Sequence, residues 1–282
     1  MSQINQFYST KVVAVIGGSS GIGLEIVNQL AGQGAVVIIG GRSPATVQGT
    51  LQRLTSIGHV VSFIKVDVQK PQQCQQFFEA ILKLYQRLDY VFNCAGIIMA
   101  GEIRDYTLAD IQRLLNTNVM GTTYCAFYAY HHMVRQGFGH IVNVASAAGL
   151  FPVPLLSVYS SSKFAVIGLS DAMRIEGKSL GVKVSVVTPG LVDTALYDTA
   201  VYSKADKDMA INLIRKNSSI ISADDAATKI LRGTQHNQAV IFTQVSSRLT
   251  GLLYRFMPGF YRFGAARLVS LYRSKYRSAD ID

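Results

Sequence analysis

The 282-residue chain predicts an α/β fold built on a doubly wound parallel sheet, and three observations predict it. Short apolar, β-branched runs alternate with segments whose apolar residues recur at helical spacing, so strands and helices take turns. The runs are apolar on both faces, as strands buried between two helical layers must be. The first run ends in Gly17-Gly18-Ser19-Ser20-Gly21-Ile22-Gly23, a glycine-rich turn that opens a helix.

The elements follow in order. Residues 11–16 (KVVAVI) form the first strand, and Leu24, Val27, Leu30 and Ala31 mark one face of the helix after the turn. The second strand is 35–42 (AVVIIGGR), with a helix near 44–57; the third is 59–67 (HVVSFIKVD), with a helix over 72–86; the fourth is 89–96 (DYVFNCAG). A helical stretch near 107–136 precedes the fifth strand, 139–146, and a helix over 157–181 precedes the sixth, 182–190. Residues 191–221 show no continuous strand pattern and read as a lid. Ser222 then caps a helix whose first turn carries Asp224 and Asp225. Residues 239–245 (AVIFTQV) are a seventh strand. Length alone suggests two domains at roughly 150 residues each. The unbroken alternation instead points to one domain over 8–246, followed by a helical tail over 247–282.

Composition narrows the class. With 49% apolar and 16% charged residues, the chain is neither disordered nor collagen-like. The net charge of +10 is unevenly placed: residues 1–225 hold 18 basic and 15 acidic side chains, whereas 226–282 hold nine basic and two acidic ones. Cys74, Cys94 and Cys125 are odd in number and widely separated, which fits neither a disulfide framework nor a zinc site and suits a reducing, cytoplasmic compartment. The N-terminal MSQINQFYSTK lacks the order of a signal peptide. The uncharged stretch 136–162 carries Asn143, serines, glycines and two prolines, which argues against a membrane span.

A parallel sheet of this kind binds ligands beyond the carboxyl ends of its strands, and the first turn gathers backbone N–H groups and a helix N-terminus at one point. Its spacing is G-x-x-x-G-x-G, on Gly17, Gly21 and Gly23. Tyr159 and Lys163, in YSSSK, lie four residues apart on one helix face, with Ser146 thirteen residues before the tyrosine. These residues resemble the short-chain dehydrogenase/reductase family, whose fingerprint is T-G-x-x-x-G-x-G with a central Ser; Ile16 departs from the Thr. The resemblance implies a Rossmann fold and an oxidoreductase that interconverts a carbonyl compound and an alcohol by hydride transfer. It implies Tyr159 as acid/base, Lys163 as the cation that lowers its pKa and holds the nicotinamide ribose, Ser146 as the group orienting the substrate oxygen, and Asn118 as the holder of a water linked to Lys163.

The cofactor residues implied are Gly17, Ser19, Ser20, Gly21, Ile22 and Gly23 in the turn, Asp67 and Val68 for adenine, and Asn93, Ala95 and Gly96 in NCAG. Tyr159 and Lys163 join them, with Pro189, Gly190, Val192 and Thr194 around the carboxamide. Cys94 replaces the family's second Asn. At the end of the second strand stands Arg42, and no acid lies between Glu25 and Asp67, which favours NADP(H) over NAD. Asp67 also reads as a strand-end cap. The five histidines have no ligand-like companions, so no metal is expected.

Residues expected to face the substrate are Ile97, Ile98, Met99, Leu150–Leu156, Leu191, Leu196 and Tyr197. Their apolarity suggests a lipophilic carbonyl or alcohol: a long-chain keto lipid, a sterol or a retinoid. GGSSGIG, NCAG and the basic extension are together similar to the 3-ketodihydrosphingosine reductase branch. In the tail, Tyr261, Gly264, Ala265, Leu268, Leu271 and Tyr272 form a helical stripe and Pro258-Gly259 a break. Contact of 247–277 with an anionic membrane surface, docking on the subunit's own core and an oligomer contact all suit that pattern. Nucleic acid does not, and family members commonly form homodimers or homotetramers. The alternatives to an enzyme are a non-catalytic nucleotide-bound sensor or a peripheral membrane interaction protein.

Overall fold

A computed structural model describes residues 6–198, 200–202, 207 and 220–276. Among them, seven strands form one parallel sheet: β1 (Val12–Ile16), β2 (Val36–Gly41), β3 (Val61–Lys65), β4 (Tyr90–Asn93), β5 (Gly139–Val144), β6 (Val182–Thr188) and β7 (Val240–Phe242), in the order β7-β6-β5-β4-β1-β2-β3. Val13 lies opposite Val37 of β2 and Tyr90 of β4. The chain first winds outward from β1 to β3, then returns past β1 to build the other half. The crevice at this reversal, above β1 and β4, is where a doubly wound sheet takes its ligand.

The helices are α1 (Gly21–Gly32), α2 (Gln48–Ser56), α3 (Pro71–Tyr85), α4 (Leu108–Leu115), α5 (Gly121–Gln136), α6 (Ser157–Gly177), α7 (Ala223–Gln235), α8 (Val245–Phe256) and α9 (Pro258–Tyr276). Alternation along β1 decides which layer each strand residue meets. Val13 and Val15 pack with Ile26, Val27 and Leu30 of α1 and with Ile230 and Leu231 of α7. Val12, Ala14 and Ile16 pack with Phe77 and Phe78 of α3 and with Ala126, Ala129 and Met133 of α5. Both layers exclude water from the strands, which explains why the strands are apolar throughout. Truncating a fully buried phenylalanine such as Phe78 would cost about 3–5 kcal/mol.

Several boundaries differ from the pattern for local reasons. Pro44 opens a short 3₁₀ turn, Pro44–Thr46, ahead of α2. The helical stretch 107–136 is two helices joined by a π-helical turn at Asn116–Met120. Gly181, at φ +77°, follows a last 3₁₀ turn that ends the long helix begun at Ser157. Ser222 caps α7 as its sequence suggests, accepting from the Asp225 N–H at 3.0 Å. The seventh strand has only three residues, and Val245 already belongs to α8. Within 191–221, Val192–Asp193 pairs with Ile221–Ser222 and Val201–Tyr202 with Met99–Ala100; residues 199, 203–206 and 208–219 of the expected lid lie outside the described residues. Cys74 and Cys125, far apart in sequence, meet between α3 and α5 with their sulfurs 3.8 Å apart.

The helical break at Pro258 is present, and only part of the tail's stripe faces the protein. Tyr261, Ala265, Val269 and Tyr272 are half-buried, whereas Gly264, Leu268 and Leu271 are exposed. Tyr261 supplies the reason: its hydroxyl donates to the Pro152 carbonyl at 2.7 Å and so fixes the rotation of α9.

Candidate active site

The turn after β1 is built around backbone proximity. Gly17 sits at φ +83° and donates its N–H to the Gly40 carbonyl at 2.8 Å. A Cβ there would lie 2.6 Å from the Ala95 nitrogen, so Gly17 lets the ends of β1 and β4 touch. A Cβ at Gly23 would collide with the Gly17 carbonyl. Gly21, at φ +51°, faces Thr194, whose methyl would be 3.1 Å from an added Cβ. Ser20 is the N-cap of α1 but makes no side-chain capping bond, and the first turn carries no acid. The helix therefore presents an uncapped, partly positive end beside Ser19 and Ser20, suited to a pyrophosphate. Ile22 packs down into the core instead.

Arg42 lies just past β2, on the same edge as this turn. It is exposed, with no hydrogen-bond or ion-pair partner among the described residues. Asp67 behaves as a cap: its carboxylate accepts from the Gln69 N–H at 3.1 Å, while its own N–H donates to Gln73 at 2.9 Å. Val68 is buried against Gly121, where an added Cβ would come within 2.7 Å of its methyl. Asn93 is a bracket between β4 and β5, donating to Asn143 Oδ1 at 2.8 Å; Asn143 in turn donates to Ser170 at 3.0 Å. Ala95 packs against Gly17, and Gly96 lies beside Asn118 and the Lys163 ammonium.

The structure brings the four predicted catalytic residues together around the N-terminal half of α6. Tyr159 and Lys163 share one face of that helix, both buried, with Lys163 Nζ 5.6 Å from the tyrosine ring centroid. Ser146, just past β5, hydrogen-bonds the Tyr159 side chain and accepts from the Ala148 N–H at 3.2 Å. Asn118 is completely buried in the π-helical turn. Its Oδ1 accepts from Ile97 N–H at 2.8 Å, and its Nδ2 donates to Ile97 O at 2.9 Å and Ser162 Oγ at 3.1 Å. The amide thus braces the loop after β4, with both its hydrogens engaged.

The electrostatics differ from the expected lowering of the tyrosine. Burial pushes the Tyr159 phenol up to about 12, against a smaller downward pull from the Ser146 hydrogen bond. Lys163 is itself lowered to about 8 by burial and donates to the Val144 carbonyl at 3.0 Å. Desolvation outweighs the Ser146 hydrogen bond, and Tyr159 keeps its proton at neutral pH.

Beyond β6, the Pro189 carbonyl accepts from the Ala147 N–H at 2.7 Å, tying this loop to the one carrying Ser146. Gly190 packs against Gln244, whose Nε2 donates to the Leu191 carbonyl at 2.8 Å. Val192 is buried, and Thr194 covers the glycine turn. The expected substrate side is only partly as predicted. Ile97, Ile98, Met99, Val153, Leu156, Leu196 and Tyr197 do cluster with Tyr159. Leu150, Phe151 and Pro152 instead meet the tail, through Gly251 and Tyr261.

Three residues of this region gave no sequence signal. Tyr106 joins two loops, its hydroxyl within 3.1 Å of the Met99 carbonyl and 3.3 Å of the Leu155 carbonyl. Asn143 completes the Asn93 bracket. Glu102, 8% exposed, pairs with Arg104 and takes a two-pronged contact from Arg273 at 3.1 and 2.7 Å. Long-range partners such as these have no periodicity to betray them.

Residues 11–204 match the short chain dehydrogenase family. An uncharacterized oxidoreductase of Staphylococcus epidermidis is 30% identical over 203 residues, 72% of this chain and 87% of that one. Among solved structures, a short chain dehydrogenase/reductase from Burkholderia phymatum in complex with NAD superposes with a TM-score of 0.81 at 23% identity, over 88% of this chain and 94% of that one. ElxO with NADP bound gives 0.72 at 26% identity, over 83% and 97%. The glycine turn, the Ser146–Tyr159–Lys163 group and this span of similarity lead to one conclusion: the chain belongs to the short-chain dehydrogenase/reductase family of oxidoreductases.

Proposed function

We propose that the chain is an NADP(H)-dependent enzyme interconverting a lipophilic ketone or aldehyde and its alcohol. The observation that carries the proposal is the convergence of Ser146, Tyr159 and Lys163 on one spot beside Gly96, on the rim that also holds the uncapped glycine turn. The residues present fit a nicotinamide dinucleotide. Gly17, Ser19, Ser20, Gly21, Ile22 and Gly23 would take the pyrophosphate. Arg42 would pair with the adenosine 2′-phosphate, Asp67 and Val68 would border the adenine, and Asn93, Ala95 and Gly96 would line the middle. Pro189, Gly190, Val192 and Thr194 would hold the nicotinamide end. The cofactor, when bound, supplies or accepts the hydride.

The chain's own residues handle the proton. Ser146 orients the substrate oxygen toward the Tyr159 hydroxyl, and in the reducing direction the phenol gives its proton to that oxygen. A phenol raised to about 12 by burial is protonated at neutral pH, as the donor in that direction must be. Lys163, at about 8, carries a proton through most of the neutral range; it would hold the ribose and favour the phenolate left after transfer. Asn118 holds the Ile97 backbone, and so the substrate wall, in place below Lys163.

The apolar cluster around Tyr159 supports a lipophilic substrate, such as the long-chain ketones reduced by the 3-ketodihydrosphingosine reductase branch. A carbonyl panel run separately with NADPH and NADH tests both parts. Faster turnover with NADPH on long-chain or polycyclic ketones is expected. A preference for NADH would overturn the Arg42 assignment, and turnover confined to small charged sugars or acids would overturn the substrate class.

A further inference from the structure

The tail has two faces with different duties. On α8 the residues directed to the protein are Ser247, Gly251 and Tyr254: Ser247 is buried, Gly251 meets Leu150, and Tyr254 stacks edge-on against Tyr261 at 5.3 Å. On α9 the Tyr261 bond to Pro152 and the Arg273 clamp on Glu102 hold the helix down. These contacts fasten the tail to the two loops, 97–105 and 150–156, that border the cluster around Tyr159.

The opposite face is apolar and open. On α8, Val245, Leu249, Leu252 and Phe256 recur at i, i+4, i+7 and i+11, one stripe on the side away from Ser247, Gly251 and Tyr254. Phe256 is 75% exposed, and Phe260 and Phe263 of α9, at helical positions away from Tyr261 and Ala265, are each 65% exposed. Surface leucines occur singly on many proteins, but four aligned apolar residues on one helix with two exposed phenylalanines on the next mark an interaction surface. Its charge identifies the partner. Residues 245–276 contain no Asp or Glu, and Arg248, Arg255, Arg262 and Arg267 are all exposed beside the stripe. Among the described residues no helix is long and apolar enough to cross a membrane. The match to the family ends at residue 204, ahead of the tail.

We propose that this outer face is a docking surface for an anionic lipid bilayer, with the apolar stripe entering the headgroup boundary and the four arginines pairing with lipid phosphates and carboxylates. The inner face stays clamped to the loops, so docking sets the mouth of the site against the membrane, where a lipophilic substrate is concentrated. The surface stands on the tail alone; only its use for substrate delivery rests on the function proposed above.

The test is flotation of the full-length protein with vesicles of phosphatidylcholine alone and of phosphatidylcholine with phosphatidylserine, with NADPH binding measured alongside as a folding control. Co-flotation with the serine-containing vesicles, at least tenfold above pure phosphatidylcholine and suppressed by high salt, is expected. The double variant Phe256→Glu/Phe260→Glu should lower partitioning about tenfold or more with NADPH binding unchanged. Should that variant misfold, Arg255→Ser/Arg262→Ser/Arg267→Ser removes only exposed charge and should lose the preference for anionic vesicles. Absence of flotation, or equal binding to both vesicles, overturns the proposal. So does a wild-type oligomer that the Phe256/Phe260 variant converts to monomer without any vesicle binding, because a second copy then covers the face. None of these readouts depends on turnover.

Discussion

Replacing Gly17 by alanine should damage stability and cofactor binding together. Two penalties act at that position. The residue sits at φ +83°, where an L side chain costs about 1–2 kcal/mol. The new Cβ would also lie 2.6 Å from the Ala95 nitrogen, 2.8 Å from its Cα and 2.9 Å from the Cys94 carbonyl carbon. All three are backbone atoms, so no rotamer change relieves the clash, and the ends of β1 and β4 must separate by several tenths of an ångström. Overpacking of this kind costs about 1–3 kcal/mol. Together they give about 2–5 kcal/mol, a large part of a typical domain stability, and a fall in Tm of about 5–15 °C. The displaced turn also carries the N–H groups assigned to the pyrophosphate, so NADPH affinity should fall about tenfold or more. Thermal unfolding and fluorescence titration with NADPH would measure both. Gly32→Ala, at the other end of α1 with nothing within 4 Å of its added Cβ, is the control and should be neutral or slightly stabilising. A Gly17→Ala protein as stable as this control, binding NADPH normally, would refute the packing and binding argument for the turn.

Other consequences are equally open to measurement. Arg42→Ala should weaken NADPH about tenfold and leave NADH nearly unchanged; equal losses for both cofactors would remove Arg42 from phosphate recognition. His140 is held down to about 3, chiefly by burial with help from Lys183 and Arg174, below its value in the unfolded chain. Its contribution is therefore present above pH ~6.5 and lost as the pH falls from there toward 3, by about 1.4 kcal/mol per unit at most. Urea midpoints from pH 7 to 4 should show that slope, and His140→Gln should flatten it. Asn118→Ala strips the Ile97 N–H of its buried partner and should cost about 1–3 kcal/mol in stability by thermal unfolding while lowering turnover further than the fold alone would explain.

The parts of the fold visible in the sequence were those with a local cause. Apolar strands, helical spacing and the glycine turn each act over a few residues, and they place all seven strands and put Tyr159 and Lys163 on one helix face, while Ser146 and Asn118 were legible through the family resemblance. What stayed hidden depends on the rotation of elements about their axes and on distant partners. Which side of α9 meets the protein depends on Tyr261 reaching the Pro152 carbonyl, a distant partner that helical spacing does not reveal. The raised phenol of Tyr159 is likewise a tertiary effect, since the spacing to Lys163 says nothing of burial. Cys74 and Cys125 meet only because α3 and α5 lie side by side on the sheet.

The most direct measurement is the rate of carbonyl reduction by Tyr159→Phe under saturating NADPH, with NADPH affinity determined on the same sample. Losing the buried proton donor while keeping the ring should lower turnover by about 10²–10⁴-fold with NADPH affinity within about twofold of the parent. Undiminished turnover by the phenylalanine variant would contradict the assignment of Tyr159 as the proton-transferring group, and with it the proposed mechanism.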